Sequence, residues 1–109
     1  MNKTPIVDPV ATQELLWVHK DGKEVIITAR IGRPYRVDDD AWACPSELYG
    51  VENQYADMKG VGSMQALGLA MSLIKMRLGH LLEDGEILYY LDDKQSVFDG
   101  GCLDAVFGK

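Results

Sequence analysis

Cysteine is nearly absent from this 109-residue chain. Cys44 and Cys102 are too few for a disulfide framework and read as free thiols in a reducing compartment. Basic residues are also short, with 11 Lys and Arg against 17 Asp and Glu and a net charge of −6. Nucleic acid therefore meets no clustered basic surface that could displace its counterions, and a direct nucleic-acid contact is not expected. No apolar run is long enough and free enough of charge to span a membrane. Met1 to Thr12 holds Lys3, Asp8, Pro5 and Pro9 without an apolar h-region, so no secretion signal is expected and a cytoplasmic location is. Internal repeats and low-complexity segments are missing as well, which removes solenoids and biased tails from consideration.

What is present fits one soluble domain. The apolar share of 47% and the charged share of 26% are ordinary for a globular chain, and this length supports a core without staples. Residues 1–12, held by two prolines, are expected to be a flexible arm, and residues 13–109 a single domain. The acidity is uneven. Two basic and seven acidic residues lie in the last 29 positions, so that end could steer a basic partner.

The stretch from Ser63 to about Leu82 organises the rest. Ala66, Leu67, Leu69, Ala70, Met71, Leu73, Ile74, Leu78 and Leu81 fill a helical arc of roughly 200°. Such a helix is about 30 Å long and crosses a small domain. Arg77 and His80 fall inside the apolar arc without a reason visible in the pattern. Ser63 fits the N-cap position and Gly85 the C′ position. Upstream, Asp21-Gly22 joins two β-rich runs and suggests a two-residue type I′ hairpin. That register pairs Trp17 with Ile26 and turns Leu16, Val18, Val25, Ile27, Ala29 and Ile31 toward the helix. A third strand is expected from Ala41, bending at Pro45 and resuming to Tyr49, and a fourth from Glu86 to Leu91. Asp92 to Ser96 reads as a turn and Leu103 to Phe107 as a short helix. The expectation is an α+β fold: an antiparallel sheet of three to four strands with one long helix on one face.

Candidate chemistry is sparse. Gly60-Val61-Gly62 before the helix lacks both the third glycine of a dinucleotide loop, replaced by Gln65, and a Walker ending; it reads as a turn that aims the helix. The cysteines and histidines share no zinc-ligand spacing, and neither Asp38-Asp39-Asp40 nor the set Asp92, Asp93, Asp99 alternates like a calcium loop. No catalytic residue, metal site or cofactor is assigned. The composition of a binding surface is found instead on the outer face of the hairpin, where Leu15, Trp17 and Ile26 form an apolar island ringed by His19, Glu24, Thr28 and Arg30. The competing expectation is that Val97, Phe98, Leu103, Val106 and Phe107 fold back over it.

Ile31-Gly32-Arg33-Pro34, Trp42-Ala43-Cys44-Pro45, Tyr49-Gly50-Val51 and Gly60-Val61-Gly62-Ser63-Met64-Gln65-Ala66-Leu67-Gly68-Leu69-Ala70 together carry a resemblance. Residues 30–84 resemble an uncharacterised bacterial family of short proteins known only as a domain of unknown function, in which Asp is usual where this chain has Gly62. The resemblance implies an α+β domain and brings no activity, cofactor or catalytic residue. The expectation for function is therefore a non-enzymatic, acidic protein-binding domain. Its most concrete form is an inhibitor or immunity-type protein that masks a basic toxin or nuclease. Trp17, Ile26 and Trp42 would be apolar anchors, and Glu83, Asp84, Glu86, Asp92, Asp93 and Asp99 the charge. The alternatives are a homo-oligomeric structural domain, such as a homodimer, and a small-ligand binder or enzyme with a pocket between helix and sheet, using Cys44 or His80.

Overall fold

A computed structural model describes residues 3–109. Two antiparallel sheets and two helices follow one another as β1 (Ala11–Val18), β2 (Glu24–Ile31), β3 (Tyr35–Arg36), β4 (Trp42–Cys44), β5 (Ser46–Tyr49), β6 (Met58–Gly60), α1 (Ser63–Glu83), β7 (Ile87–Tyr90), β8 (Asp93–Val97) and α2 (Gly100–Phe107). The larger sheet has the order β5-β2-β1-β7-β8 and the smaller one β3-β4-β6. The α+β class and the long helix packed on a sheet agree with the sequence reading. Eight strands in place of three or four do not, because β3, β4 and β6 are only two or three residues long and carry no periodicity of their own.

The first hairpin shows how one turn residue decides a register. Gly22 N–H donates to the His19 carbonyl at 2.9 Å and His19 N–H to the Lys23 carbonyl at 2.8 Å. The loop is thus Lys20-Asp21-Gly22, three residues rather than two, with Gly22 alone at positive φ (+90°). Asp21 is spent on an Asx turn, its Oδ1 accepting from Lys23 N–H at 2.9 Å. The pairing becomes Trp17 with Val25 and Leu16 with Ile26, one residue away from the expected register. On β2 the expected inner residues Val25, Ile27, Ala29 and Ile31 hold, but on β1 every side chain changes face. Leu15 and Trp17 now point toward α1, and Leu16 and Val18 away from it.

Ala66, Ala70, Ile74 and Leu78 of α1 are buried along an i, i+4 stripe against Leu15, Ile27, Leu48, Leu88 and Phe98. Burial of each large aliphatic side chain contributes about 1.5–3 kcal/mol. Arg77 and His80 find their reason in the loop before β6: Arg77 pairs with Glu52, and its Nη1 lies 3.1 Å from His80 Nδ1. The helix ends as expected, in a Schellman turn. Glu86 N–H donates to the Leu81 carbonyl and Gly85 N–H to that of Leu82, with Gly85 at φ +83°. Its start is corrected: Gly62, not Ser63, is the N-cap, and Gln65 Oε1 reaches back to accept from Val61 N–H. Gly60 is fixed by space, since a Cβ there would stand 2.7 Å from the Ala66 nitrogen.

The arm expected to be loose is tied down within the described residues. Thr4 N–H and Oγ1 donate to the Asp57 carboxylate, Oγ1 at 2.6 Å, and Arg30 Nη2 donates to the Ile6 carbonyl at 3.3 Å. Met1 and Asn2 of that arm lie outside the described residues. Of the expected turn from Asp92 to Ser96 only Asp92 is in a turn; from Asp93 the chain is β8, set off from β7 by a register shift between Tyr89 and Tyr90. The C-terminal helix is longer than Leu103–Phe107 and is capped by Asp99, whose Oδ1 accepts from Cys102 N–H at 3.0 Å.

Candidate functional site

Both helices and the smaller sheet lie against the inner face of the five-stranded sheet or its helix, and α2 packs beside α1, with Leu103 next to Gly79. The C-terminal segment therefore goes inward. Phe98 and Leu103 join the core, and the outer face keeps its own side chains. Strand pairing sets Ile26, Leu16, Tyr89 and Val97 in one row across β2, β1, β7 and β8. Ile26 is 54% exposed and Val97 49%, while Leu16 in the middle is 4% exposed. Tyr49, paired with Thr28 on β5, and Ile87, paired with Val18, extend the row on either side and are 45% and 49% exposed. Lys94 on β8 reaches Glu24 on β2 at 3.1 Å, across the two intervening strands β7 and β1, so its stem lies over this face. At the other end the face closes over Arg30 and Glu47, paired at 2.8 Å with Glu47 only 3% exposed.

The expected anchors separate. Ile26 belongs to the outer row. Trp17 does not: it faces inward beside Leu88, stacks on His19 with ring centroids 4.0 Å apart, and donates from Nε1 to Glu86 at 3.0 Å. Trp42 lies on β4 of the smaller sheet and packs, half-buried, against the same core rather than in the outer row. Tyr49, Ile87, Tyr89 and Val97 replace them. For Ile87 and Tyr89 the sequence signal was their i, i+2 spacing on β7, readable only once the register of β1 is known; Tyr49 on β5 and Val97 on β8 had none.

The acidic set divides as well. Glu83, Asp84, Glu86 and Asp99 gather where α1 and β8 meet the start of β7, and Asp92 and Asp93 lie at its far end, about 13 Å away at about 3.3 Å per residue. Three of the six are engaged locally. Glu86 holds Trp17, Asp99 caps α2, and Asp93 accepts from Gln95 N–H and Ser96 Oγ. The Ser96 hydroxyl and Gln95 amide hold the Asp93 carboxyl below the usual carboxylate range, and the Cys102 amide does the same for Asp99.

Cys44 is no nucleophile in this setting. Burial, with the nearby Asp57 charge, pushes its thiol up to about 11, and its Sγ lies 3.4 Å from the Gly32 carbonyl oxygen. Asp57 itself is 8% exposed and receives Tyr35 Oη at 2.5 Å and the two Thr4 donors, an anchor for the arm. The Tyr35 phenol is raised by that bond to a carboxylate. Beside the anchor a cavity of about 290 Å³ opens between Thr4–Asp8, Gly32–Tyr35 and Pro45. A second one, of about 150 Å³, lies between Gln13, Ala29, Ile31, Met71, Val106 and Phe107. No group of three or more metal-ligating side chains occurs among the described residues, and no helix is long and apolar enough to cross a membrane.

The segments that carried the resemblance prove to be structural partners: Gly32 N–H donates to the Pro45 carbonyl, and a Cβ on Gly32 would meet the Pro45 ring at 2.5 Å. The model of one protein family, described as "Domain of unknown function (DUF6968)", matches residues 11–98, well beyond residues 30–84. Comparison with curated proteins and with solved structures gives no match.

Proposed function

Because the chain belongs to the DUF6968 family, whose description carries no activity, its role has to be argued from its own surface, and we propose that it is a non-enzymatic protein-binding domain. The observation that supports this reading is the apolar row Ile26–Leu16–Tyr89–Val97, flanked by Tyr49 and Ile87 and left open by both helices. Large apolar and aromatic side chains grouped within a polar rim are the composition of a binding hot spot. A net charge of −6 favours a basic partner and speeds its approach. In its most concrete form the domain is a small acidic inhibitor or immunity-type protein that covers a basic toxin or nuclease.

The test compares the wild-type chain with an Ile26→Asp, Val97→Asp variant as immobilised bait, at low and raised salt. The expected result is a basic protein that is retained by the wild type, released by salt, and absent from the variant. Equal capture by both baits refutes the reading. Self-association through the same row is the second reading, favoured by the exposure of Ile26 and Val97. A concentration-dependent dimer that the variant abolishes selects it.

A further inference from the structure

The strand β1 is longer than its neighbour. It pairs with β2 over its whole length, Ala11 to Val18, but with β7 only from Leu15 to Val18. In an antiparallel ladder, backbone groups turn to one side and then the other at alternate residues. His19 N–H, just past β1, bonds to the carbonyl of Lys23, just before β2, so odd-numbered residues of β1 turn to β2 and even-numbered ones to β7. Leu16 and Val18 meet Tyr89 and Ile87 there. Thr12 and Glu14 offer their N–H and C=O groups to the same side, past the end of β7, where no described strand pairs with them. Residues 11–14 contain no Pro, Gly or Lys, and the β1–β2 register from Ala11 to Val18 has no shift; Glu14 puts one charge on this edge, and the edge ends at Val10, whose N–H turns to the Ile31 carbonyl at 2.9 Å.

Beneath this free edge lies the cavity of about 150 Å³, between Gln13 and Ala29 above and Met71, Val106 and Phe107 of the two helices below. We propose that the unpaired edge of β1 at Thr12–Glu14 and the apolar cavity under it form a groove that binds an extended segment of a basic partner protein by strand addition. This proposal rests on the reading of the domain as a protein binder and gives that partner a second, directional contact. The segment continues the line of β7 and runs antiparallel to β1, as β7 does. Its residue opposite Glu14 points to the outer side with that exposed carboxylate, near Asp92 just beyond the end of β7, and is Lys or Arg. The next residue, opposite Gln13, points inward and fills the cavity with one Val, Leu or Ile side chain. The third, opposite Thr12, completes the pairing and is unrestricted. A second copy of this chain is the poorer occupant, since edge-to-edge pairing brings two Glu14 side chains and two molecules of charge −6 together.

The probe is the capped peptide acetyl-Lys-Leu-Thr-Val-Thr-amide, added to the ¹⁵N-labelled full chain. The expected result is slowed amide exchange at Thr12 and Glu14 together with shifted signals from Met71 and Phe107. N-methylation of the peptide's Lys or first Thr, which removes a donor aimed at β1, weakens binding at least about tenfold. N-methylation of Leu, which faces away from β1, changes it less than about twofold. Thr12→Pro removes one donor from the protein and weakens binding at least about tenfold. Glu14→Lys reverses the preference toward a peptide beginning with Glu. Shifts confined to Ile26, Tyr89 and Val97, equal loss from all N-methyl peptides, or no shift at millimolar peptide overturn the proposal. So does dilution-dependent protection of Thr12 and Glu14 without peptide, which assigns the edge to a second copy. Ile26→Asp separates the two readings: it is expected to leave peptide binding unchanged, and partner capture that survives Thr12→Pro while peptide binding is lost refutes the groove alone.

Discussion

Replacing Arg30 by Met should cost this protein far more than replacing its partner Glu47 by Gln. The two side chains pair at 2.8 Å on the outer face, but they are not equally buried: the Glu47 side chain is 3% exposed and that of Arg30 26%. Removing the guanidinium strands a carboxylate that water cannot reach, and breaking a buried pair in this way costs about 3–5 kcal/mol. Removing only the charge of Glu47 leaves an amide oxygen in place and an arginine with access to solvent, a loss of about 1 kcal/mol. Arg30 also donates to the Ile6 carbonyl, so Arg30→Met should in addition loosen the arm. Since a domain of this size is stable by only about 5–15 kcal/mol, the larger figure is visible in any urea titration. The assay is urea unfolding followed by tryptophan fluorescence, with the slope required to stay constant between variants. The double variant Arg30→Met, Glu47→Leu should recover part of the loss, because neither charge is then left buried. The reasoning is refuted if Glu47→Gln costs as much as Arg30→Met, or if the double variant is no better than Arg30→Met alone.

Gly22→Ala should cost about 1–2 kcal/mol, read from the urea midpoint, because φ is +90° there while nothing lies within 4 Å of the added methyl; the penalty is conformational alone. Leu78→Ala removes a fully buried side chain and should lower stability by about 2–5 kcal/mol in the same titration. With a thiol at about 11, Cys44 is roughly one part in a thousand thiolate at pH 8, so Ellman's reagent should reach it only after unfolding. The Asp99 carboxyl is lower in the folded state than in the unfolded chain, so its cap on α2 is fully present above the unfolded value and is lost as pH falls through the folded one. The protection of the Cys102 amide, taken relative to its intrinsic exchange rate at each pH, should fall over that acid range, and Asp99→Asn should make that protection nearly independent of pH.

The long helix and the β class of its flanks were legible because their periodicity is repeated over many residues. Ala66, Ala70, Ile74 and Leu78 are buried as the 3.6-residue period requires. The binding face was less legible, for one physical reason. Asp-Gly is compatible with two hairpin loops differing by one residue, and local chemistry does not choose between them. That single difference moved Trp17 from the outer face of the sheet to the inner one and Leu16 the other way, and with them the identity of the site. Ile26 survived because it sits on β2, where the expected face held. The acidic residues were visible as a group in the sequence, but proximity in the chain concealed that Asp93 and Asp99 hold local turns and that Glu86 holds Trp17, 69 positions away. The free edge of β1 had no sequence signal, since it follows from the lengths of two strands far apart in the chain.

The pairing of β1 with β7 also has a consequence for synthesis. On the ribosome, β1 and β2 emerge together and can close their hairpin at once, but the residues that complete the other side of β1 come about 70 positions later. At about 5–20 residues per second, that leaves Leu16 and Val18 with open backbone groups for several seconds. During this interval the whole strand, and not only Thr12 to Glu14, is available to a neighbouring nascent chain or to a chaperone. Translation speed across residues 19–86 therefore sets how long the newborn domain is at risk, and slow codons in that interval should lower its soluble yield before any effect on the finished fold appears.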